Sequence, residues 1–320
     1  MMKTLVTGGA GFIGSHLSAL LLKHGHTVTA MDNFNTYYSP ALKRDNVAGL
    51  LTQPSYTLVE GDITDLPFLE NHFAQNSYDV IVHLAARAGV RPSIQEPQLY
   101  DLVNVTGTIN LLEMCRRHRI DKMVFASSSS VYGANSKVPF QESDVVDFPI
   151  SPYAASKKAG ELICYTYHHL YHLSITCLRF FTVYGPRQRP DMAIHKFARL
   201  IAKGQPVPVF GDGRTRRDYT FFEDILQGIY ASILHCQGYR IYNLGESNTV
   251  ELRYLIELLE SALAIKARLE FMPDQPGDVP ITYADISKAR QELGYDPQTP
   301  IEKGIPVFAE WFKAKQAFLV

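Results

Sequence analysis

Two rhythms of apolar positions alternate along the chain as far as Phe180. One is a short run that is apolar at consecutive positions, as in Val80-Ile81-Val82. A strand buried on both faces has no polar side to show, so it reads this way. The other is a longer stretch with helical spacing, as in Leu17-Ser18-Ala19-Leu20-Leu21-Leu22. The pattern predicts strands at Lys3–Thr7, Thr27–Met31, Tyr56–Val59, Asp79–Leu84, Lys122–Ser127 and Ser174–Phe180. It predicts helices after Gly14, near Asp65–Ala74, and over Gln98–His118 and Pro152–Tyr171. Strands alternating with helices make a parallel sheet covered on both faces. Ligands of such sheets bind outside the carboxyl ends of the strands.

After Phe181 the rhythm changes. Thr182 to Asp191 is turn-rich and basic. Shorter elements follow: helices at Met192–Lys203, Asp224–His235 and Val250–Ala262, and strands at Val207–Phe210, Ile241–Leu244 and Arg268–Phe271. Two helical stretches end the chain. The expected division is residues 1–180 as a doubly wound parallel α/β sheet of Rossmann type and residues 181–320 as a smaller mixed α/β unit. The boundary is soft, and segments interleave across it.

Composition narrows the class. Of 320 residues, 46% are hydrophobic and 20% charged, as in an ordinary globular protein. A net charge of -1 gives no bulk attraction to nucleic acid or to an anionic membrane. The N-terminus runs directly into a strand without the features of a signal peptide, and no apolar run has the length of a membrane span. Cys115, Cys164, Cys177 and Cys236 are scattered, which suggests neither a zinc site nor a disulfide framework and fits a reducing cytoplasm. His168, His169 and His172 lack a carboxylate or cysteine at ligand spacing, so a solvated helix end is expected there, and no metal.

Chemistry enters at the end of the first strand. Gly8, Gly11 and Gly14 are spaced G-x-x-G-x-x-G, with Phe12 and Ile13 opening a helix. Such glycines allow a tight turn, close approach of backbone to a pyrophosphate, and close helix–strand packing. The helix start then offers N–H groups and the positive end of its dipole to the diphosphate. Asp32, 18 residues beyond Gly14, ends the next strand where a carboxylate binds ribose hydroxyls, and Asn33 follows it. Its charge repels a 2′-phosphate, and no arginine follows immediately, so the expected cofactor is NAD. Asp62 and Ile63, Leu84, Ala85 and Ala86, and Ser127 to Ser130 stand at later strand ends.

Within Ser151-Pro152-Tyr153-Ala154-Ala155-Ser156-Lys157, Tyr153 and Lys157 are four residues apart. On a helix they share a face. A nearby ammonium favours the phenolate, so Tyr153 is expected to have a lowered pKa and to serve as acid and base. Ser128 is placed to hydrogen-bond a sugar and the tyrosine oxygen, with Ser129 and Ser130 beside it. Arginines cluster at Arg187 and Arg189 and again at Arg214, Arg216 and Arg217, which suits an anionic ligand.

These motifs, in this order and over nearly the whole chain, resemble the extended short-chain dehydrogenase/reductase family, in its nucleotide-sugar branch. The resemblance implies a Rossmann domain with NAD and a smaller domain with a UDP-sugar. It implies cofactor contacts from the glycine loop, Asp32, Asn33, Asp62, Ile63, Leu84, Ala85, Ala86, Asn104, Ser127, Tyr153 and Lys157. It implies substrate contacts from Arg91, Ser128, Ser129, Ser130, Tyr153, Thr182, Arg189, Val209, Phe210, Arg217 and Asp278. A homodimer through Gln98–His118 and Pro152–Tyr171 is also implied. The branch's 4,6-dehydratases carry an Asp-Glu pair just before the Val-Tyr-Gly motif, and its decarboxylases a Glu, where this chain has Ser129-Ser130. That fits a C4 epimerase. Ala85–Arg91, Phe180–Pro186 and Gln275–Pro280 look like the corresponding stretches of UDP-glucuronate 4-epimerases, in which a Thr and an Arg matching Thr182 and Arg189 hold the sugar carboxylate. Many of those enzymes have Trp-Gly at Arg187-Gln188. The resemblance implies inversion at C4 of a UDP-hexuronate through a 4-keto sugar, with Tyr153 moving the proton, Lys157 supporting it and Ser128 holding the C4 oxygen. Three alternatives stand beside it: a UDP-glucose/UDP-galactose 4-epimerase on the same machinery, a net nucleotide-sugar oxidoreductase, and a non-catalytic NAD-binding module, whose expected mark, loss of the tyrosine or the lysine, is absent here.

Overall fold

Seven apolar runs collect into one all-parallel sheet. In the computed structural model, which describes residues 1–273 and 279–315, the first six are β1 (Lys3–Thr7), β2 (Thr27–Asp32), β3 (Tyr56–Glu60), β4 (Val80–His83), β5 (Lys122–Ser128) and β6 (Ser174–Phe180). Four short strands outside this sheet follow: β7 (Thr182–Tyr184), β8 (Pro206–Phe210), β9 (Arg216–Arg217) and β10 (Tyr219–Phe221). Then β11 (Tyr239–Leu244) returns and pairs with β6, Ile175 opposite Tyr239. The order across the sheet is β3-β2-β1-β4-β5-β6-β11. Chain order reverses between β1 and β4, whose carboxyl ends form the crevice where such sheets bind ligands.

Both faces are covered. Val6, Val28, Val80, Val82 and Val124 join one core cluster, with Leu17, Leu21, Ile225 and Ile229 from helices. The alternate positions Leu5, Ile81, Met123 and Phe125 join another, with Leu69, Phe73, Leu111 and Cys115. A third core lies around Tyr184, Val207, Val209, Leu259 and Phe308.

The helices that position the site are α1 (Phe12–Lys23), α2 (Pro40–Ala48), α3 (Leu66–Gln75), α4 (Val90–Gln95), α5 (Pro97–Asp101), α6 (Gly107–His118) and α7 (Pro152–Tyr171). The bounds of α7 follow from its first turn: Ser151 Oγ accepts from Ala154 N at 3.1 Å, and Pro152 sits at the first helical position. The sequence reading gives no element at α2, α4, β9 or β10, and the structure differs from it at two further segments. The single helix expected over Gln98–His118 is α5 and α6 joined by a π turn at Leu102–Thr106. Thr182–Tyr184, expected as turn, is a strand parallel to β10, with Val183 and Tyr184 buried. Among the described residues no helix is long and apolar enough to cross a membrane, and no group of His, Cys, Asp and Glu side chains could hold a metal ion.

Candidate active site

A cavity of about 440 Å³ opens at the carboxyl ends of β1, β2, β4, β5 and β6. Its floor is the glycine turn. Gly8 has φ +67°, and a Cβ there would lie 2.8 Å from the Ala85 amide nitrogen. A Cβ on Gly14 would meet the Gly8 carbonyl oxygen at 2.2 Å. Only hydrogen at these two positions lets β1, α1 and β4 close up this far. Gly11 is the N-cap of α1, and no side chain caps it. The first-turn N–H groups are therefore left for an anion.

At the end of β2 the buried Asp32 accepts from Phe34 N at 2.9 Å, Lys43 Nζ at 3.2 Å and Ala10 N at 3.3 Å. At the end of β3 Asp62 accepts from Asn33 Nδ2 at 2.7 Å and from Thr64 N and Oγ1 at 2.8 Å. Burial alone would raise the Asp62 pKa, but these hydrogen bonds outweigh it and hold the carboxyl below its usual range. A cradle that any Cβ would fill, beside a carboxylate one strand away, fits a dinucleotide.

The β4 end is locked by His83. Thr108 Oγ1 donates its hydrogen to Asn104 O at 2.6 Å, so it accepts from His83 Nε2 at 3.1 Å. His83 Nδ1 then accepts from Thr7 Oγ1 at 2.8 Å, and Thr7 Oγ1 accepts from Ala85 N at 3.2 Å. Burial drives the His83 pKa down to about 3, so the ring is a neutral brace.

Tyr153 and Lys157 share the cavity wall with Ser127, Ser128, Ser129 and Ser130. Lys157 Nζ donates to Ala126 O at 2.7 Å, and burial lowers its pKa to about 8. Tyr153 departs from the sequence reading, because burial raises its pKa, with the Ser128 hydroxyl and the Arg189 charge acting against burial. The ring is half-buried, edge-on to Tyr100 with centroids 6.2 Å apart, and the lysine charge is directed to the Ala126 carbonyl. Beneath the serines lies a buried ion pair. Arg179 donates from Nε to Glu161 Oε1 and from Nη2 to Oε2, both at 2.8 Å, and Ser127 Oγ donates to Glu161 Oε1 at 2.6 Å.

Thr182, Arg189 and Asp191 line the same cavity. Arg189 donates from Nε to Asp191 Oδ1 at 3.0 Å and from Nη2 to Oδ2 at 2.9 Å.

Of the residues expected at the site, those of the glycine loop, Asp32, Asn33, Asp62, Ile63, Leu84, Ala85, Ala86, Ser127 to Ser130, Tyr153, Lys157, Thr182 and Arg189 line this cavity. Others do not. Asn104, expected to touch the cofactor, accepts from Arg87 N at 2.8 Å and donates to Arg87 O and Ser156 Oγ at 2.9 Å, so its amide is spent on the loop after β4. Val209 is fully buried in the third core. Arg91 stacks on the Phe210 ring at 4.6 Å, away from the cavity wall. Arg217 donates to Arg216 O at 2.9 Å. Gln275 and Asp278 lie outside the described residues. The cavity also holds Tyr37, Tyr38, Lys43 and Asp191, which the sequence reading missed. Asp191 had a signal, a carboxylate two residues from Arg189 across a proline. Lys43 reaches Asp32 across a loop and had none.

The chain matches the profile of the family described as GDP-mannose 4,6 dehydratase over residues 5–307. It is 46% identical over 332 residues to UDP-glucuronate 4-epimerase 1 of Arabidopsis thaliana, covering 97% of this chain and 76% of that protein. Among solved structures it is similar to the UDP-glucuronic acid 4-epimerase of Bacillus cereus in complex with UDP-glucuronic acid and NAD, with a TM-score of 0.91 and 37% identity over 98% of this chain and 99% of that one. It is also similar to the UDP-glucose 4-epimerase of Thermus thermophilus in complex with NAD, with a TM-score of 0.89 and 31% identity over 98% and 99% of the two chains.

Proposed function

The chain belongs to the GDP-mannose 4,6 dehydratase family of extended short-chain dehydrogenases, and from that premise we propose that it is an NAD-dependent UDP-sugar 4-epimerase that interconverts UDP-glucuronate and UDP-galacturonate. The observation that carries the reading is one cavity lined by the glycine cradle, by Tyr153 and Ser128, and by Thr182 and Arg189. No acid follows Ser128 where the dehydratases keep theirs, since Ser129 and Ser130 occupy those positions.

The glycine turn and the α1 start hold the diphosphate of the cofactor, and Asp32 holds its adenosine ribose. When bound, NAD supplies the redox chemistry by taking the C4 hydride and giving it back. Tyr153 Oη takes the C4 hydroxyl proton and later returns it, and Ser128 Oγ holds the C4 oxygen in place. Lys157 supplies positive charge beside the phenolate. Thr182 and Arg189 hold the C6 carboxylate. The sugar turns about its diphosphate between the two half-reactions, so the site must grip the nucleotide while it releases the ring. The stack of Arg91 on Phe210 is the proposed contact for the nucleotide end of the substrate, with Arg217.

We further propose a homodimer through α6 and α7, since Leu162 and Tyr165 of α7 are 56% and 52% exposed. The cytoplasm is the proposed compartment, which suits four buried, unpaired cysteines.

Replacement Arg189→Ala tests the carboxylate contact. The KM for UDP-glucuronate should rise about tenfold or more, as for a lost charge-assisted hydrogen bond, and more than that for UDP-glucose. Equal KM values for variant and wild type, with no CO2 released, would remove Arg189 from the sugar site. A second reading, epimerisation of UDP-glucose and UDP-galactose, has one observation in its favour: Asp191 already neutralises Arg189.

A further inference from the structure

Arg189 is held by one edge. Its Nε and Nη2 donate side-on to the two oxygens of Asp191 at 3.0 and 2.9 Å. A guanidinium is planar, with five N–H donors in a fixed fork. The side-on pair uses two of them. Those remaining include the end edge between Nη1 and Nη2, which fits a second carboxylate. The plane is also covered on one face, with Cζ 5.4 Å from the centroid of the Tyr37 ring. Tyr37 is fixed in turn, since its hydroxyl donates to Ala88 O at 2.6 Å. Together Tyr37 and Asp191 fix the tilt of the guanidinium and its rotation within its own plane. The Arg189 and Asp191 side chains are 21% and 40% exposed, so the pair borders the cavity and is reachable by a ligand.

We infer that Asp191 is a positioning residue: it orients Arg189 so that the free end edge receives the substrate carboxylate in one pose, and thereby decides whether the 4-keto acid is epimerised or loses CO2. This rests on the UDP-hexuronate reading above. The competing step is a β-keto acid cleavage. The C5–C6 bond breaks, C6 leaves as CO2 with both its oxygens, the electron pair passes into the C4–C5 enolate, and a proton from water lands on C5 to give a 4-keto pentose. It requires the C5–C6 bond to line up with the carbonyl π system. A guanidinium with one fixed orientation holds C6 away from that line by positioning. An arginine without its partner samples several rotamers and holds C6 in several poses. Because Arg189 and Asp191 together carry no net charge, discrimination between an acid and a neutral sugar comes from the geometry of the end edge more than from bulk attraction.

The experiment compares wild type with Asp191→Asn and Asp191→Glu, all NAD-loaded. Calorimetry gives the affinities for UDP-glucuronate, UDP-glucose and UDP, the last a control for folding. Proton NMR gives the ratio of pentose product to epimer. Asp191→Asn should raise that ratio about tenfold and lower the affinity of UDP-glucuronate relative to UDP-glucose by a similar factor. Asp191→Glu keeps the charge but displaces the fork by one methylene, and it too should raise the ratio. An unmoved ratio in both variants, or tighter UDP-glucuronate binding in Asp191→Asn, would overturn the inference and make Asp191 a bystander or a competitor. Failure of the substrate reading has a separate signature: wild type itself would bind UDP-glucuronate no better than UDP-glucose.

Discussion

Replacing Tyr153 by phenylalanine should cut epimerisation about a thousandfold, the usual scale for removing a positioned acid–base group, while UDP binding persists. The hydroxyl shares the cavity with Ser128, its hydrogen-bond partner, and with Lys157, and the aromatic ring would keep its edge contact with Tyr100. The wild-type pH profile carries a second mark of the same assignment. Burial holds the phenol above its ordinary value of 10.0, so the phenolate fraction grows tenfold per pH unit through neutrality. Burial also brings Lys157 to about 8, above which the ammonium fraction falls at the same rate. The product of the two climbs with pH and levels off near 8, and kcat/KM should follow it. A Tyr153→Phe enzyme within tenfold of wild type, or a profile that falls from acid to neutral pH, would assign the proton to another group.

Replacing Glu161 by leucine should destabilise the fold by about 3–5 kcal/mol, because it strands a buried guanidinium. Glu161 and Arg179 are each 1% exposed, and the Nη1 of Arg179 already lacks a partner. For a chain of this size the melting temperature should fall by roughly 10 °C. Ser127 loses its acceptor at the same time, which couples the stability of this layer to the wall of the site that carries Tyr153. The double replacement with Arg179→Met should recover most of the loss, since apolar pairs can replace buried ion pairs at little cost. A single variant that melts within about 2 °C of wild type would show that water reaches this pair.

The sequence carried the site where local chemistry and periodicity agree. The glycine turn, Asp32 at a strand end, and Ser151-Pro152 opening the Tyr153–Lys157 helix are each written in adjacent residues, and they meet in the cavity. Long-range pairing carried no such mark. Nothing in Ile241-Tyr242-Asn243-Leu244 says that it pairs with β6, because an apolar run fits beside any strand. Asn104 reads as a polar residue on a helix face, and its use on the Arg87 backbone depends on the π turn that turns it inward. The direction of the Tyr153 shift also needed three dimensions. Sequence spacing shows a lysine one turn away but neither how deeply the phenol is buried nor that the ammonium is held by Ala126 O.

The central claim is tested most directly by incubating the purified protein with UDP-glucuronate and, separately, with UDP-glucose, without added NAD, and following the anomeric protons by NMR. UDP-galacturonate should form, and much faster than UDP-galactose, on cofactor that remains bound through purification. UDP-galactose forming faster would keep the epimerase and retire the carboxylate contact. No epimer in either tube, even after NAD is added, would contradict the account.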